Sequence, residues 1–167
     1  MEEKTRVLFV CTGNICRSPT AEVVFNALVK KRGLDYRIEA SSAGIQAFHV
    51  GEGADSRSSL HAKRRGYDLS GHRVRVFQTS DHDEFDWILC MDRSHLQFVQ
   101  DSMQDRQRAN VELFLKRIGH GPALDMPDPY YGGDAGFETV LDLCEQAGAT
   151  LLDTILAQEL EESSRRG

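Results

Sequence analysis

An α/β sandwich around a mostly parallel sheet is what this 167-residue sequence predicts, on three observations. Short apolar runs alternate with longer amphipathic stretches, the order that buries a parallel sheet between layers of helix. The first run, Val7-Leu8-Phe9-Val10, is apolar at every position, as a central strand covered on both faces requires. The last stretch, Ala135 to Glu161, repeats apolar residues at helical spacing, from Phe137, Val140 and Leu141 to Leu151, Leu152 and Ile155.

Taken in order, the first strand runs into a helix from about Pro19 to Arg32, with Ser18 suited to its N-cap and Pro19 to its first turn. Tyr36 to Ala40 reads as a second strand, and the small residues Ser41-Ser42-Ala43-Gly44 open a loop. Ala54 to Arg65 is a short polar helix closed by Gly66. Asp86 to Met91 is a buried strand, Arg93 to Met103 a helix, and Val111 to Leu115 a fourth strand. The C-terminal helix is expected to break near Gly148, and the polar tail from Glu159 to Gly167 to fray.

Composition bounds the function. The length suits one domain with a sizeable core. A net charge of −6 gives no global support for binding nucleic acid or an anionic membrane. Four cysteines without regular spacing, no leader pattern and no long apolar segment point to a reducing compartment, the cytoplasm by default. Oligomeric state is not legible.

Chemistry concentrates where the first strand ends, at Cys11-Thr12-Gly13-Asn14-Ile15-Cys16-Arg17-Ser18. Gly13 and Asn14 tolerate positive φ, so the backbone can curl and point successive N–H groups inward as an anion nest. The helix beyond aims its positive end into the same loop. That field favours the thiolate of Cys11, and Arg17 adds a planar fork for two phosphate oxygens. A thiolate beside a phosphate cradle is a phosphoryl acceptor. The competing readings are an inert buried thiol, a metal pair with Cys16, or a redox couple with it. A closed zinc site needs further ligands, and only Cys90, Cys144 and six scattered histidines remain.

The second element is Met126-Pro127-Asp128-Pro129-Tyr130-Tyr131, where two prolines stiffen one acid beside two aromatics. Transfer of a phosphoryl group to cysteine requires a proton for the leaving oxygen, and Asp128 is the candidate donor.

With Val10 to Pro19 near one end and Asp128-Pro-Tyr-Tyr131 near the other, the chain resembles the low-molecular-weight protein tyrosine phosphatases. Ser41 to Gly44, His49-Val50-Gly51 and Ile88 to Asp92 extend the resemblance over nearly the whole domain. It implies a three-layer sandwich with a central four-stranded parallel sheet, and metal-free, cofactor-free hydrolysis of protein phosphotyrosine through a phosphocysteine. Cys11 would be the nucleophile, Arg17 the phosphate clamp and Asp128 acid, then base. The amides of Thr12, Gly13, Asn14, Ile15, Cys16 and Ser18 would hold the phosphate. Asn14 would brace the loop with Ser42 and His72, Ser18 would donate to the thiolate, and Phe48, Tyr130 and Tyr131 would wall an aromatic slot. Tyrosine-phosphorylated proteins would be the partners.

Three positions depart from the family pattern: Thr12 where Leu is frequent, Phe48 where Trp or Tyr is frequent, and His95 where Asn is frequent. Ile15 is apolar where the arginine-phosphatase branch tends to place Thr, which favours phosphotyrosine. Cys16 allows a reversible disulfide guarding Cys11. The alternatives are a protein-arginine phosphatase or an arsenate reductase on the same scaffold, or a non-catalytic phosphoprotein-binding module. Cys90 in a strand and Cys144 on a helix are poorly placed for the relay a reductase needs.

Overall fold

Apolar residues at four successive positions need cover on both sides, and β1 (Thr5–Cys11) finds it at the centre of a four-stranded parallel sheet of order β2-β1-β3-β4. Its neighbours are β2 (Ile38–Gly44) and β3 (Trp87–Cys90), with β4 (Asn110–Leu113) at the edge. The computed structural model describes residues 4–118 and 125–166. The helices are α1 (Arg17–Lys31), α2 (Ser56–Arg64), α3 (Asp81–Glu84), α4 (Arg93–Asp101) and α5 (Asp134–Arg166), with 3₁₀ turns at Phe114–Ile118 and Pro129–Tyr131.

Period-two alternation divides β1 between two cores. Val7, Phe9 and Cys11 face the layer holding Val24 and Phe25 of α1 and Leu151 and Leu152 of α5. Leu8 and Val10 face Phe77, Phe85, Ile88 and Val99 on the other side. The Phe9 ring meets Phe25 and Phe114 edge-on, with centroids 5.8 and 4.9 Å away. This is the three-layer α/β sandwich expected.

Topology also picks out one end of the sheet. From β1 the chain crosses to β2 on one side, whereas β3 and β4 lie on the other. The order therefore reverses at β1, and the crevice at its carboxyl end is where such sheets hold ligands.

Local reading and structure part company at several places, among them the fourth strand, which ends at Leu113 and gives way to the 3₁₀ turn Phe114–Ile118 where strand was expected to Leu115. Ser41 to Gly44 is not a loop: β2 runs to Gly44, because Leu8, Phe9, Val10 and Cys11 of β1 pair with Ser41, Ser42, Ala43 and Gly44. Small residues suit a strand pressed between α1 and the first loop. The helix α1 begins at Arg17 with Cys16 at the N-cap, so Ser18 lies in the first turn and its hydroxyl is free for other work. The C-terminal helix is unbroken at Gly148, and it continues to Arg166 through the segment expected to fray. Glu159 ties that segment down, accepting from Thr5 Oγ1 and from Arg37. Gly66, by contrast, closes α2 as expected, at φ +88°.

Gly148 allows close approach of helices. A Cβ there would stand 3.2 Å from Leu28 Cδ1 and 3.9 Å from Phe25 Cδ1, both on α1. Gly148→Leu is expected to cost about 1–3 kcal/mol of stability by overpacking. Urea unfolding measures it, and an unchanged midpoint would mean the two helices are not in tight contact there.

Candidate active site

The loop after β1 is built from an odd backbone conformation and its supports. Asn14 has φ +59°, the one non-glycine residue with positive φ among those described; Gly13 does not share it. Asn14 pays for that strain through its side chain, whose Nδ2 donates to Ser18 Oγ at 2.8 Å and Ser42 Oγ at 3.0 Å. Its Oδ1 accepts from the Arg75 amide, and its carbonyl is 2.7 Å from His72 Nε2. Ser42 in turn donates to Glu22 at 2.7 Å. Burial raises the Glu22 carboxyl above its ordinary value, against the lowering effect of that hydrogen bond. A Cβ on Gly44 would sit 2.9 Å from the Thr12 carbonyl, so only glycine lets β2 pack this closely under the loop.

Cys11 lies buried at the base, its Sγ 2.9 Å from Ser18 Oγ and 3.3 Å from the Asn14 amide, which donates to it. Ser18 is the hydroxyl that the N-cap did not need. Cys16 is buried too, and desolvation pushes its thiol up to about 12 despite a hydrogen bond with Ser58.

Arg17 is divided between anchor and working end. Nη1 donates to Asp92 Oδ2 and to the Met126 carbonyl, both at 3.0 Å. Nη2 lies 3.4 Å from Thr12 Oγ1 and 3.5 Å from Asp128 Oδ2. Burial pushes the Asp92 carboxyl up, but the Ser94 hydrogen bond and Arg17 outweigh it and leave it below its ordinary value. Asp128 caps the 3₁₀ turn Pro129–Tyr131, its Oδ1 accepting from the Tyr130 amide at 3.0 Å. Arg57 steadies that turn: it donates to the Tyr130 carbonyl at 3.1 Å and lies over the Tyr130 ring.

These elements enclose one cavity of about 560 Å³, lined by Cys11, Thr12, Ile15, Arg17, Phe48 and Asp128, with Tyr130 and Tyr131 at its mouth. Phe48 and Tyr131 are 84% and 87% exposed, and the Tyr131 ring meets Tyr130 edge-on with centroids 5.0 Å apart. A second cavity of about 410 Å³, at the opposite end of β1, is lined by Thr5, His82, Arg106 and Glu159 and contains no cysteine.

The family model described as "Low molecular weight phosphotyrosine protein phosphatase" matches residues 6–165. The chain belongs to this family.

A low-molecular-weight protein-tyrosine-phosphatase of Streptomyces coelicolor is 43% identical over 159 residues, 92% of this chain and 94% of that protein. A protein tyrosine phosphatase of Entamoeba histolytica, solved with Hepes in its active site, superposes with a TM-score of 0.88 at 33% identity, covering 93% of this chain and 99% of that one. The Drosophila arginine phosphatase superposes with a TM-score of 0.84 at 30% identity, covering 89% and 96%. As a member of this phosphatase family the chain is a hydrolase.

Every residue that the sequence of this phosphatase singled out lies on the cavity or directly behind it: Asn14, Ser18, Ser42 and His72 form the buried backing, the others the lining or rim. Sequence reasoning missed Arg75 and Asp92, which hold Asn14 and Arg17 from distant segments, and Glu22 on α1, which accepts from Ser42 behind Asn14. Only Asp92 carried a local signal, as an N-cap three residues before His95.

His95 is fully buried on α4, and desolvation pushes its pKa down to about 4, with Asp92 opposing and Arg17 adding to the fall. An unfolded chain binds the proton near the ordinary 6.5, so neutral His95 favours folding fully above that pH. The contribution is lost as pH falls from about 6.5 toward 4. Stability should therefore drop by on the order of 2–3 kcal/mol over that window, and by less in His95→Asn. Urea unfolding of the unmodified protein and of His95→Asn at pH 6.5 and pH 4 tests it; an equal loss of unfolding free energy in the two would show that His95 is not held neutral.

Proposed function

We propose that this enzyme hydrolyses phosphotyrosine in proteins, with Cys11, Arg17 and Asp128 as its reacting groups. The observation that carries the proposal is their convergence on one cavity, at the topological switch of the sheet, under two exposed aromatic faces. Cys11 Sγ attacks phosphorus as the thiolate, the bond from phosphorus to the tyrosyl oxygen breaks, and Asp128 gives that oxygen its proton. Arg17 Nη2 and the loop amides hold the equatorial oxygens as charge builds. In the second step Asp128 takes a proton from water, whose oxygen attacks the phosphocysteine and expels the thiolate. Ser18, 2.9 Å from Sγ, donates to the departing sulfur.

A cavity that holds Cys11 and Arg17 and is lined by the Phe48 and Tyr131 rings suits an aryl ester. Ile15 offers no polar group to a phosphoguanidine, which disfavours phosphoarginine. Reduction of arsenate needs mobile cysteines, whereas Cys90 and Cys144 are core residues whose thiols burial pushes up, Cys90 to about 12. A silent binding module would have no use for Asp128. Cys16 is the reserve partner for Cys11: peroxide oxidises the thiolate to a sulfenic acid, and the Cys16 thiol condenses with it, releasing water.

The test is a side-by-side assay of phosphotyrosyl and phosphoarginyl peptides and of thioredoxin-coupled arsenate reduction. Phosphotyrosine should be turned over fastest, with phosphate recovered on Cys11 after acid quench. Faster phosphoarginine hydrolysis or arsenate-dependent thiol oxidation would replace this reading by the corresponding one.

A further inference from the structure

Thr12, on the loop after β1, and His95, on α4, touch each other. Thr12 Oγ1 and His95 Nε2 are 2.8 Å apart, although the residues are 83 positions apart in sequence. The direction of that hydrogen bond follows from the far side of the imidazole. The Asp92 amide, a fixed donor, points at His95 Nδ1 at 3.1 Å, while Asp92 Oδ1, 3.3 Å from Nδ1, is already taken by the Ser94 and His95 amides and the Ser94 hydroxyl; Nδ1 is therefore the acceptor and Nε2 carries the proton. The burial that pushes the His95 pKa to about 4 keeps this single-proton form at neutral pH. His95 Nε2 therefore donates to Thr12.

Arg17 Nη2 donates to the same hydroxyl at 3.4 Å. The two hydrogen bonds to Thr12 Oγ1 thus both come from donors, and they occupy its acceptor side. A hydroxyl has one proton to give. Thr12 lies on the wall of the cavity, one residue after Cys11 and beside the guanidinium nitrogen that faces the pocket. Its proton is left for an acceptor that enters there.

We propose that the Thr12 hydroxyl, aimed by His95, is a side-chain donor to the bound phosphoryl group, in addition to Arg17 and the backbone amides. Thr12 touches the substrate; His95 is a positioning residue that acts through it. An apolar side chain at this position could only wall the pocket, whereas Thr12 and His95 together add a polar contact. The inference rests on the phosphatase reading above and adds one contact to it.

The test compares Thr12→Val, which keeps the shape and removes the hydroxyl, with Thr12→Ser, which keeps the hydroxyl. Inorganic phosphate is the probe. Thr12→Val should raise the inhibition constant for phosphate about tenfold and lower kcat/KM on a phosphotyrosyl peptide by a similar factor, as loss of a donor to a charged group requires. Thr12→Ser, which restores the donor, should recover most of what Thr12→Val loses. His95→Asn should weaken phosphate binding when Thr12 is present and add nothing in the Thr12→Val background.

Urea unfolding with and without phosphate separates a missing donor from a stranded imidazole. A missing donor shrinks the stabilisation that phosphate confers, whereas a stranded imidazole lowers only the baseline. Should Thr12→Val bind phosphate as tightly as the unmodified protein, or lose baseline stability alone, the proposal is overturned. If His95→Asn does not fold, the Thr12 pair decides. Failure of the unmodified protein to hydrolyse phosphotyrosine would sink the phosphatase reading instead, and phosphate binding would still report on the hydroxyl.

Discussion

Cys11→Ser is expected to slow hydrolysis of a phosphotyrosyl peptide by at least about 10⁴-fold while leaving phosphate binding within a few-fold of normal. The thiolate is the attacking atom in the proposed mechanism, and a serine hydroxyl in the same place stays protonated at neutral pH and attacks weakly. Little else at the site changes. Sγ lies buried behind the cradle, the Asn14 amide can donate to Oγ as it does to Sγ, and Ser18 stays within reach. The variant should therefore hold phosphorylated protein without releasing it. Steady-state rates and equilibrium phosphate binding are the two measurements, and substantial turnover by the variant would remove Cys11 from the mechanism.

Asp128→Asn is expected to lower kcat for the same peptide by about 10²–10⁴-fold, the usual worth of a positioned acid or base. The size of the loss should depend on the leaving group. Tyrosyl oxygen needs a proton as it departs, whereas an activated nitrophenolate leaves without help, so the first step should suffer less with an activated ester. Asparagine keeps the hydrogen bond from the Tyr130 amide, so the 3₁₀ turn should survive and the cavity keep its shape. Breaking the contact with Arg17 Nη2 costs little, since Asp92 and the Met126 carbonyl continue to anchor the guanidinium. Equal losses for activated and unactivated esters would show that Asp128 positions groups and transfers no proton.

What was legible in the sequence was local. The run Val7 to Val10, the cysteine at its end and the arginine six residues on lie on one stretch of chain, so spacing alone brought them to the crevice. Asp128 stands in a loop whose prolines announce a turn, and that too needed no partner. Where tertiary contact decides, local reading failed. Ser41 to Gly44 has the composition of a loop and is strand because β1 offers it a hydrogen-bonding edge. Gly148 has the composition of a break and is helix because α1 needs the space. The polar stretch that begins at Glu159 is held by Thr5, the first residue of β1, and Arg37, which precedes β2. In the site, the missing members were the supports: Glu22, Arg75 and Asp92 look like surface charges until the fold brings Ser42, Asn14 and Arg17 to them. Thr12 and His95 were each visible as departures, but their contact was not, because no periodicity joins residues so far apart.

The supports of Asn14 and Arg17 come from β2, the segment before α3, the start of α4 and the Met126 loop, which between them span most of the chain. The segment from Thr5 to Lys31 holds the cysteine, the loop and the helix, yet cut loose it would keep neither the left-handed turn at Asn14 nor the bearing of Arg17. The chemistry therefore cannot be excised as a peptide or grafted as a loop. It is a property of the finished fold, and assembly of the last distant segment is the moment at which the enzyme begins to exist.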